Sequence, residues 1–169
     1  SGVLITCLTS GRITEELLVI LGAFLAFGIL GFLDDFVKVS MKRNLGLTAK
    51  QKLFLQIIFA VILAAYQAFT SDFGTEIDIP FSDKTMDLGI WYIPFIAFVV
   101  VAMVNAVNLT DGLDGLASGV TMIVAFFFGI IGSLYGSPTV ALFCSAIAGA
   151  CFGFLMFNKH PAKVYMGDT

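Results

Sequence analysis

A polar segment, residues 105–119, lies between two long apolar runs. Its side chains could take part in catalysis or in ligand binding. It reads Asn-Ala-Val-Asn-Leu-Thr-Asp-Gly-Leu-Asp-Gly-Leu-Ala-Ser-Gly. Asp111 and Asp114 either cap a helix that begins here, as in a variant of the capping box, or bind a polar ligand together with Asn108 and the glycine-rich backbone. Capping explains the Asp-x-x-Asp spacing but neither the asparagines nor the repeated Asp-Gly. The segment therefore favours ligand binding, and a helix N-terminus within it would suit a phosphate.

A second constellation is the adjacent pair Asp34 and Asp35, which ends the first long apolar run. Lys38 follows at helical spacing on the same face, so an ion pair is the simplest interpretation. Adjacent carboxylates at the end of a membrane span are costly to place, however, which makes them candidates for function. We expect this pair to belong to the site.

These four carboxylates and Asp168 all stand next to long apolar runs, within motifs that contain glycine or asparagine. Drawn together, they would repel one another unless a metal ion or basic side chains shared the site. Oxygen ligands without a cluster of histidines or thiols favour Mg²⁺ or Mn²⁺ over zinc. Because Mg²⁺ takes only one or two protein carboxylates, the other acids would act as bases or substrate contacts. His160, the only histidine, precedes a proline and is expected to be a surface or capping residue rather than a ligand.

The composition defines the elements that must position these residues. With 59% hydrophobic and 12% charged residues, the chain is predicted to be an all-α polytopic membrane protein, residues 1–169 forming a single membrane domain. The net charge of −3 gives no reason to expect a nucleic-acid partner. The chain reads as a piece of a longer protein. Five transmembrane helices are expected, at about residues 13–33, 53–70, 91–104, 116–134 and 139–157.

Five spans place residues 34–52, 105–115 and 158–169 on the same side of the membrane. These segments hold most of the nine basic residues, so the positive-inside rule makes them cytoplasmic. All five candidate carboxylates lie on this side. Segment 71–90, on the other side, is acidic, and acidic and apolar residues alternate at Glu76–Ile79. This alternation predicts a small extracytoplasmic β-hairpin.

The fifth apolar run has a face of small residues. Gly149 and Gly153 are four residues apart, with Ala146 and Ala150 beside them. This pattern predicts close packing against a neighbouring helix rather than a binding site.

Four motifs together resemble the phospho-N-acetylmuramoyl-pentapeptide-transferase (MraY) family. They are Leu-Gly-Phe-Leu-Asp-Asp-Phe-Val-Lys (30–38), Lys-Arg-Asn-Leu-Gly-Leu-Thr-Ala-Lys-Gln-Lys (42–52), residues 105–117, and Asn-Lys-His-Pro-Ala (158–162) with Met-Gly-Asp (166–168). The wider polyprenyl-phosphate N-acetylhexosamine-1-phosphate transferase superfamily, including WecA and TagO, shares the Asp-Asp pair and the Asp-Gly-x-Asp-Gly pattern. The second motif and Thr110 point to the MraY branch.

The resemblance implies a ten-span enzyme of the bacterial cytoplasmic membrane, of which this chain resembles roughly the middle half. Such an enzyme transfers phospho-MurNAc-pentapeptide from UDP-MurNAc-pentapeptide to undecaprenyl phosphate, giving lipid I and UMP in peptidoglycan biosynthesis. It uses Mg²⁺ and works at the cytoplasmic face. Its partners are the two substrates and the lipid bilayer, with no nucleic acid, and a homodimer is an assembly that the resemblance leaves open.

The resemblance also implies roles for particular residues. Asp34 would deprotonate the lipid phosphate, Asp35 would support it or the metal, and Asp168 would bind Mg²⁺. The substrate-binding residues would be Lys38 at a phosphate, Asn108, Asp111 and Asp114 around the nucleotide, and Tyr165 stacked on uracil. The family usually has Phe where this chain has Tyr165.

Two alternatives stay open at this point. One is a WecA- or TagO-like enzyme that transfers GlcNAc-1-phosphate to undecaprenyl phosphate. The other, from a different class, is a membrane transporter with acidic relay residues. Transporters usually carry ionisable residues in mid-span, near broken helices, and the spans here are nearly free of charge.

Overall fold

Five long helices form the frame of the part of the chain that the structure describes. The computed structural model describes residues 14–40, 46–70, 74–79, 82 and 84–167. The helices are α1 (Glu15–Ser40), α2 (Ala49–Thr70), α3 (Tyr92–Thr110), α4 (Leu116–Leu134) and α5 (Pro138–Asn158). Each is long and apolar enough to cross a membrane, α3 together with the 3-10 turn Gly89–Trp91 before it. The chain is a multi-pass membrane protein, as its composition predicts.

A two-stranded antiparallel hairpin connects α2 to α3. Its strands are β1 (Glu76–Asp78) and β2 (Thr85–Asp87). The Asp87 carboxylate accepts hydrogen bonds from the hydroxyl of Thr75 and from the N–H of Gly89, which hold the pKa of Asp87 below its ordinary value, the hydroxyl contributing most. The predicted hairpin is confirmed.

Helices α1 and α3 extend beyond the predicted apolar spans at the ends that carry candidate site residues. Helix α1 continues to Ser40, so the Asp34–Lys38 segment is helical, and α3 continues to Thr110 and includes Asn108. The spacing of Lys38 from the two aspartates stabilises the last turns of α1 through ion pairs. The polar motifs therefore lie on helix ends as well as in loops.

The chain divides into two compact units, of which the first contains residues 107–167 and the start of α1. In this unit α4 and α5 pack against each other through glycines of α4. A Cβ at Gly132 would lie 2.7 Å from the backbone nitrogen of Ala141, and one at Gly129 would lie 3.2 Å from Ser145 Oγ. Because glycine has no side chain, the two helix backbones can approach closely at these positions, as is common between membrane helices.

The packing face predicted on α5 is not the one used here. Among the described residues, no atom lies within 4 Å of a Cβ built on Gly149 or Gly153. The close contact is made instead by Gly129 and Gly132 of α4 against Ala141 and Ser145 of α5. Gly149 and Gly153 lie exposed on another face.

The second unit contains the rest of α1, α2, the hairpin and most of α3. Phe27 of α1 meets Phe59 of α2 edge to face, with ring centroids 6.1 Å apart. Asn105 of α3 donates a 2.8 Å hydrogen bond to Oε1 of the buried Gln56 in α2. An amide pair of this kind links two helices where lipid offers no polar partner.

Candidate functional site

The acidic pair lies on the last turns of α1, within the second unit. Lys38 Nζ is 2.7 Å from Asp34 Oδ2 and 3.3 Å from Asp35 Oδ1, which confirms the predicted ion pair. The two carboxylates differ in exposure, since the Asp34 side chain is 4% exposed and that of Asp35 is 30% exposed. The two aspartates are thus not equivalent.

Asp34 is held by the segment that leads into α2. Its Oδ1 accepts a 2.8 Å hydrogen bond from the backbone N–H of Leu47, and Lys52 Nζ lies 3.9 Å from its Oδ2. Two carboxylates and two ammonium groups therefore lie close together. We call these four residues, with Leu47 whose N–H bonds to Asp34, the acidic-pair cluster: Asp34, Asp35, Lys38, Leu47 and Lys52. The basic side chains offset the repulsion between the two carboxylates, one of the two means that the sequence analysis considers.

A capping box fixes the start of α2. The backbone N–H of Thr48 donates to Gln51 Oε1 at 3.0 Å, and the N–H of Gln51 donates to Thr48 Oγ1 at 3.3 Å. This arrangement begins the helix directly after Leu47 and brings Lys52 toward Asp34. The segment is close against α1, since a Cβ on Gly46 would lie 2.5 Å from Asp34 Oδ1.

In the first unit, Asp114 ties the loop after α3 to the turn after α5. Its Oδ2 accepts a 3.0 Å hydrogen bond from the N–H of Ala162 and lies 3.2 Å from Nδ1 of the exposed His160. Neither Asp111 nor Asp114 is the N-cap of α4, because that position is Gly115, at φ 79°, which makes no side-chain capping bond. The capping interpretation of the Asp-x-x-Asp spacing is wrong because α4 begins only at Leu116.

Asn158 makes a second connection between the same two segments. Its Oδ1 accepts hydrogen bonds from the N–H of Gly115 at 3.1 Å and from the hydroxyl of Ser118 at 2.9 Å. Its Nδ2 donates to the carbonyl of Val164 at 3.0 Å, and the residue is only 2% exposed. We call residues 111–118 and 158–164 the interlocked loops.

Sequence reasoning included Asn158 in a motif but gave it no role. The available signal was an asparagine at the end of an apolar run, where a buried amide needs several partners. Its partners lie as far as 43 residues away along the chain, and sequence spacing does not reveal them.

The remaining predicted site residues that the structure describes are exposed. Asn108 and Asp111 are exposed at the end of α3, where the N–H of Asp111 donates to the carbonyl of Asn108. Tyr165 is 75% exposed, so its ring is accessible to a ligand. Asp168 lies outside the described residues. Within residues 14–40, 46–70, 74–79, 82 and 84–167, no three metal-ligating side chains form a group.

The chain resembles known proteins over nearly its whole length. The family model described as glycosyl transferase family 4 matches residues 17–169. Similar proteins include the phospho-N-acetylmuramoyl-pentapeptide-transferases of Alkaliphilus metalliredigens, 59% identical over 99% of this chain, and of Alkaliphilus oremlandii, 56% identical over 100% of it. The enzyme of that name from Clostridioides difficile is 50% identical over 99% of the chain. The chain spans about half the length of these curated relatives, 54%, 54% and 52% respectively.

Proposed function

Because the chain belongs to glycosyl transferase family 4, we propose that the full-length protein transfers phospho-MurNAc-pentapeptide from UDP-MurNAc-pentapeptide to undecaprenyl phosphate. The products are lipid I and UMP. The activity named for the relatives that are 50–59% identical suggests these substrates. The observation that carries the proposal is the acidic-pair cluster, which places two carboxylates and two ammonium groups at the end of an apolar helix.

The reaction exchanges one P–O bond for another. An oxygen of the lipid phosphate forms a bond to the phosphorus that bears the sugar. The bond from that phosphorus to the oxygen bridging to the uridylyl phosphorus breaks, and UMP leaves with both electrons of the broken bond. Such a transfer depends mainly on positioning and on stabilising negative charge.

The acidic-pair cluster suits the acceptor phosphate. Its two carboxylates can take a proton from a monoprotonated phosphate, and Lys38 can neutralise the phosphate oxygens. The formal charges of Asp34, Asp35, Lys38 and Lys52 cancel, so an anion meets no net repulsion from these four groups.

The interlocked loops and the end of α3 suit a nucleotide. In this proposal Asn108, Asp111 and Asp114 bind the polar groups of the nucleotide, and the exposed ring of Tyr165 stacks on uracil. Tyr in place of Phe keeps the aromatic face on which stacking depends. Asp114 also holds the loop that presents these groups, through its bond to Ala162.

The donor set fits a hard divalent cation. The carboxylate of Asp35 is partly exposed and offers the oxygen ligands that Mg²⁺ prefers. We assign Mg²⁺ to Asp168 and Asp35, where it would neutralise charge on the diphosphate. The bacterial cytoplasmic membrane, with residues 34–52, 105–115 and 158–169 on its cytoplasmic side, is the location that the basic residues favour.

UMP release by the full-length protein in detergent tests this function. The assay contains undecaprenyl phosphate, Mg²⁺ and either UDP-MurNAc-pentapeptide or UDP-GlcNAc, with Asp168→Asn beside the unchanged protein. We expect release with the muramyl donor only, and its loss in EDTA and in the variant. Release with UDP-GlcNAc alone would assign the protein to the WecA and TagO branch. No release with either donor, from a folded preparation that binds uridine nucleotides, would favour a transporter.

A further inference from the structure

We propose that Asp34 and Gly46 form a clasp that positions the start of α2 and, with it, the Lys52 ammonium group beside the acidic pair. The inference rests on the proposed function and deepens it, because it adds Gly46 as a positioning residue for the acidic-pair cluster. Gly46 acts through its close contact with Asp34, and Asp34 acts in the clasp through its hydrogen bond from the Leu47 N–H.

The first argument is that both oxygens of Asp34 already face protein groups. Oδ1 accepts the Leu47 N–H at 2.8 Å, and Oδ2 lies 2.7 Å from Lys38 Nζ. The Asp34 side chain is only 4% exposed, so these contacts are largely shielded from solvent. A buried carboxylate that accepts hydrogen bonds from an ammonium and a backbone N–H typically orders the groups around it.

The second argument is the contact between Gly46 and α1. A Cβ at this position would lie 2.5 Å from Asp34 Oδ1, 2.8 Å from its Cγ and 2.7 Å from its backbone oxygen. The backbone oxygen belongs to a helix and cannot move away as the end of a flexible side chain could. Any side chain at residue 46 would therefore push the segment off Asp34.

The third argument is what the clasp positions. Leu47 immediately precedes the Thr48–Gln51 capping box, so the bond to Asp34 sets where α2 begins. Lys52, one turn into α2, reaches to 3.9 Å from Asp34 Oδ2. Moving the segment would shift this ammonium group from the place where it offsets the two carboxylates.

The test compares Gly46→Ala with Gly28→Ala in the full-length protein. Gly28 is a matched control because it lies in α1 with no described atom within 4 Å of an added Cβ. We expect Gly46→Ala to lower kcat at least about tenfold, as displacement of a positioning group does, with the KM for the nucleotide donor unchanged. Gly28→Ala should keep the original kcat. A normal kcat in Gly46→Ala would overturn the proposal.

Hydrogen exchange at the Leu47 amide provides a readout that does not need activity. We expect a protected amide that exchanges faster in Gly46→Ala and in Asp34→Ala but not in Gly28→Ala. An unprotected amide in the unchanged protein would contradict the clasp. Because this result is independent of UMP release, failure of the clasp and failure of the proposed function can be told apart.

Discussion

At the scale of single residues, the polar side chains of the motifs divide by burial. Asp34 and Asn158 are buried and bonded to backbone groups distant in sequence. Asp111 and Tyr165 are exposed. A buried polar group is costly unless its hydrogen bonds are made. Asp34 and Asn158 therefore stabilise the segments to which they bond, while the exposed residues are accessible to ligands.

Asn158→Ala should destabilise the protein. It removes the acceptor of the Gly115 N–H and Ser118 hydroxyl bonds, and an unsatisfied buried group costs about 1–3 kcal/mol. The unfolding temperature of the full-length protein in detergent measures the effect. His160→Ala is the control, since that side chain is 85% exposed and should change little. Equal shifts in the two variants would show that Asn158 does not connect the interlocked loops.

At the scale of elements, the α4–α5 pair depends on close backbone approach. Gly129 and Gly132 of α4 face Ser145 and Ala141 of α5. In a membrane the association of helices draws on van der Waals contact rather than on burial from water, so the shape of this face decides its strength. Asn158 lies at one end of the α4–α5 pair, and the turn at residues 135–137 connects the two helices at the other end.

Gly132→Ala should weaken this pair. The added Cβ would lie 2.7 Å from the Ala141 nitrogen, and overpacking of this kind costs about 1–3 kcal/mol. Thermal unfolding of the full-length protein measures the loss. Gly149→Ala serves as a matched glycine variant with no described atom within 4 Å of the new Cβ, and it should have a smaller effect. A larger effect at Gly149 would mean that the α5 face carries the more important contact.

At the scale of the whole molecule, the five spans and the distribution of charge predict an orientation in the membrane. The basic residues concentrate in the segments that also hold the candidate carboxylates, whereas the hairpin segment is acidic. Basic loops are retained on the cytoplasmic side during insertion. We therefore expect the hairpin outside and the site residues inside.

Cysteine labelling in intact cells tests this orientation. In a full-length background from which all native cysteines are removed, Cys7, Cys144 and Cys151 among them, a cysteine introduced at Ser82 should react with a membrane-impermeant maleimide. One introduced at Lys163 should react only after the membrane is permeabilised. The reverse labelling pattern would invert the topology and place the site on the outer face.

The sequence by itself determined the five spans, the hairpin and the motifs that resemble the family, because hydropathy, alternation and motif spacing are local properties. It also predicted the ion pair of Lys38, whose partners lie within one helical turn. Only the tertiary structure decided that Leu47 holds Asp34, that Asn158 joins two loops, and that the glycines of α4 rather than Gly149 and Gly153 make the close contact. These contacts join residues far apart in the chain, and which polar groups become buried depends on how the helices pack.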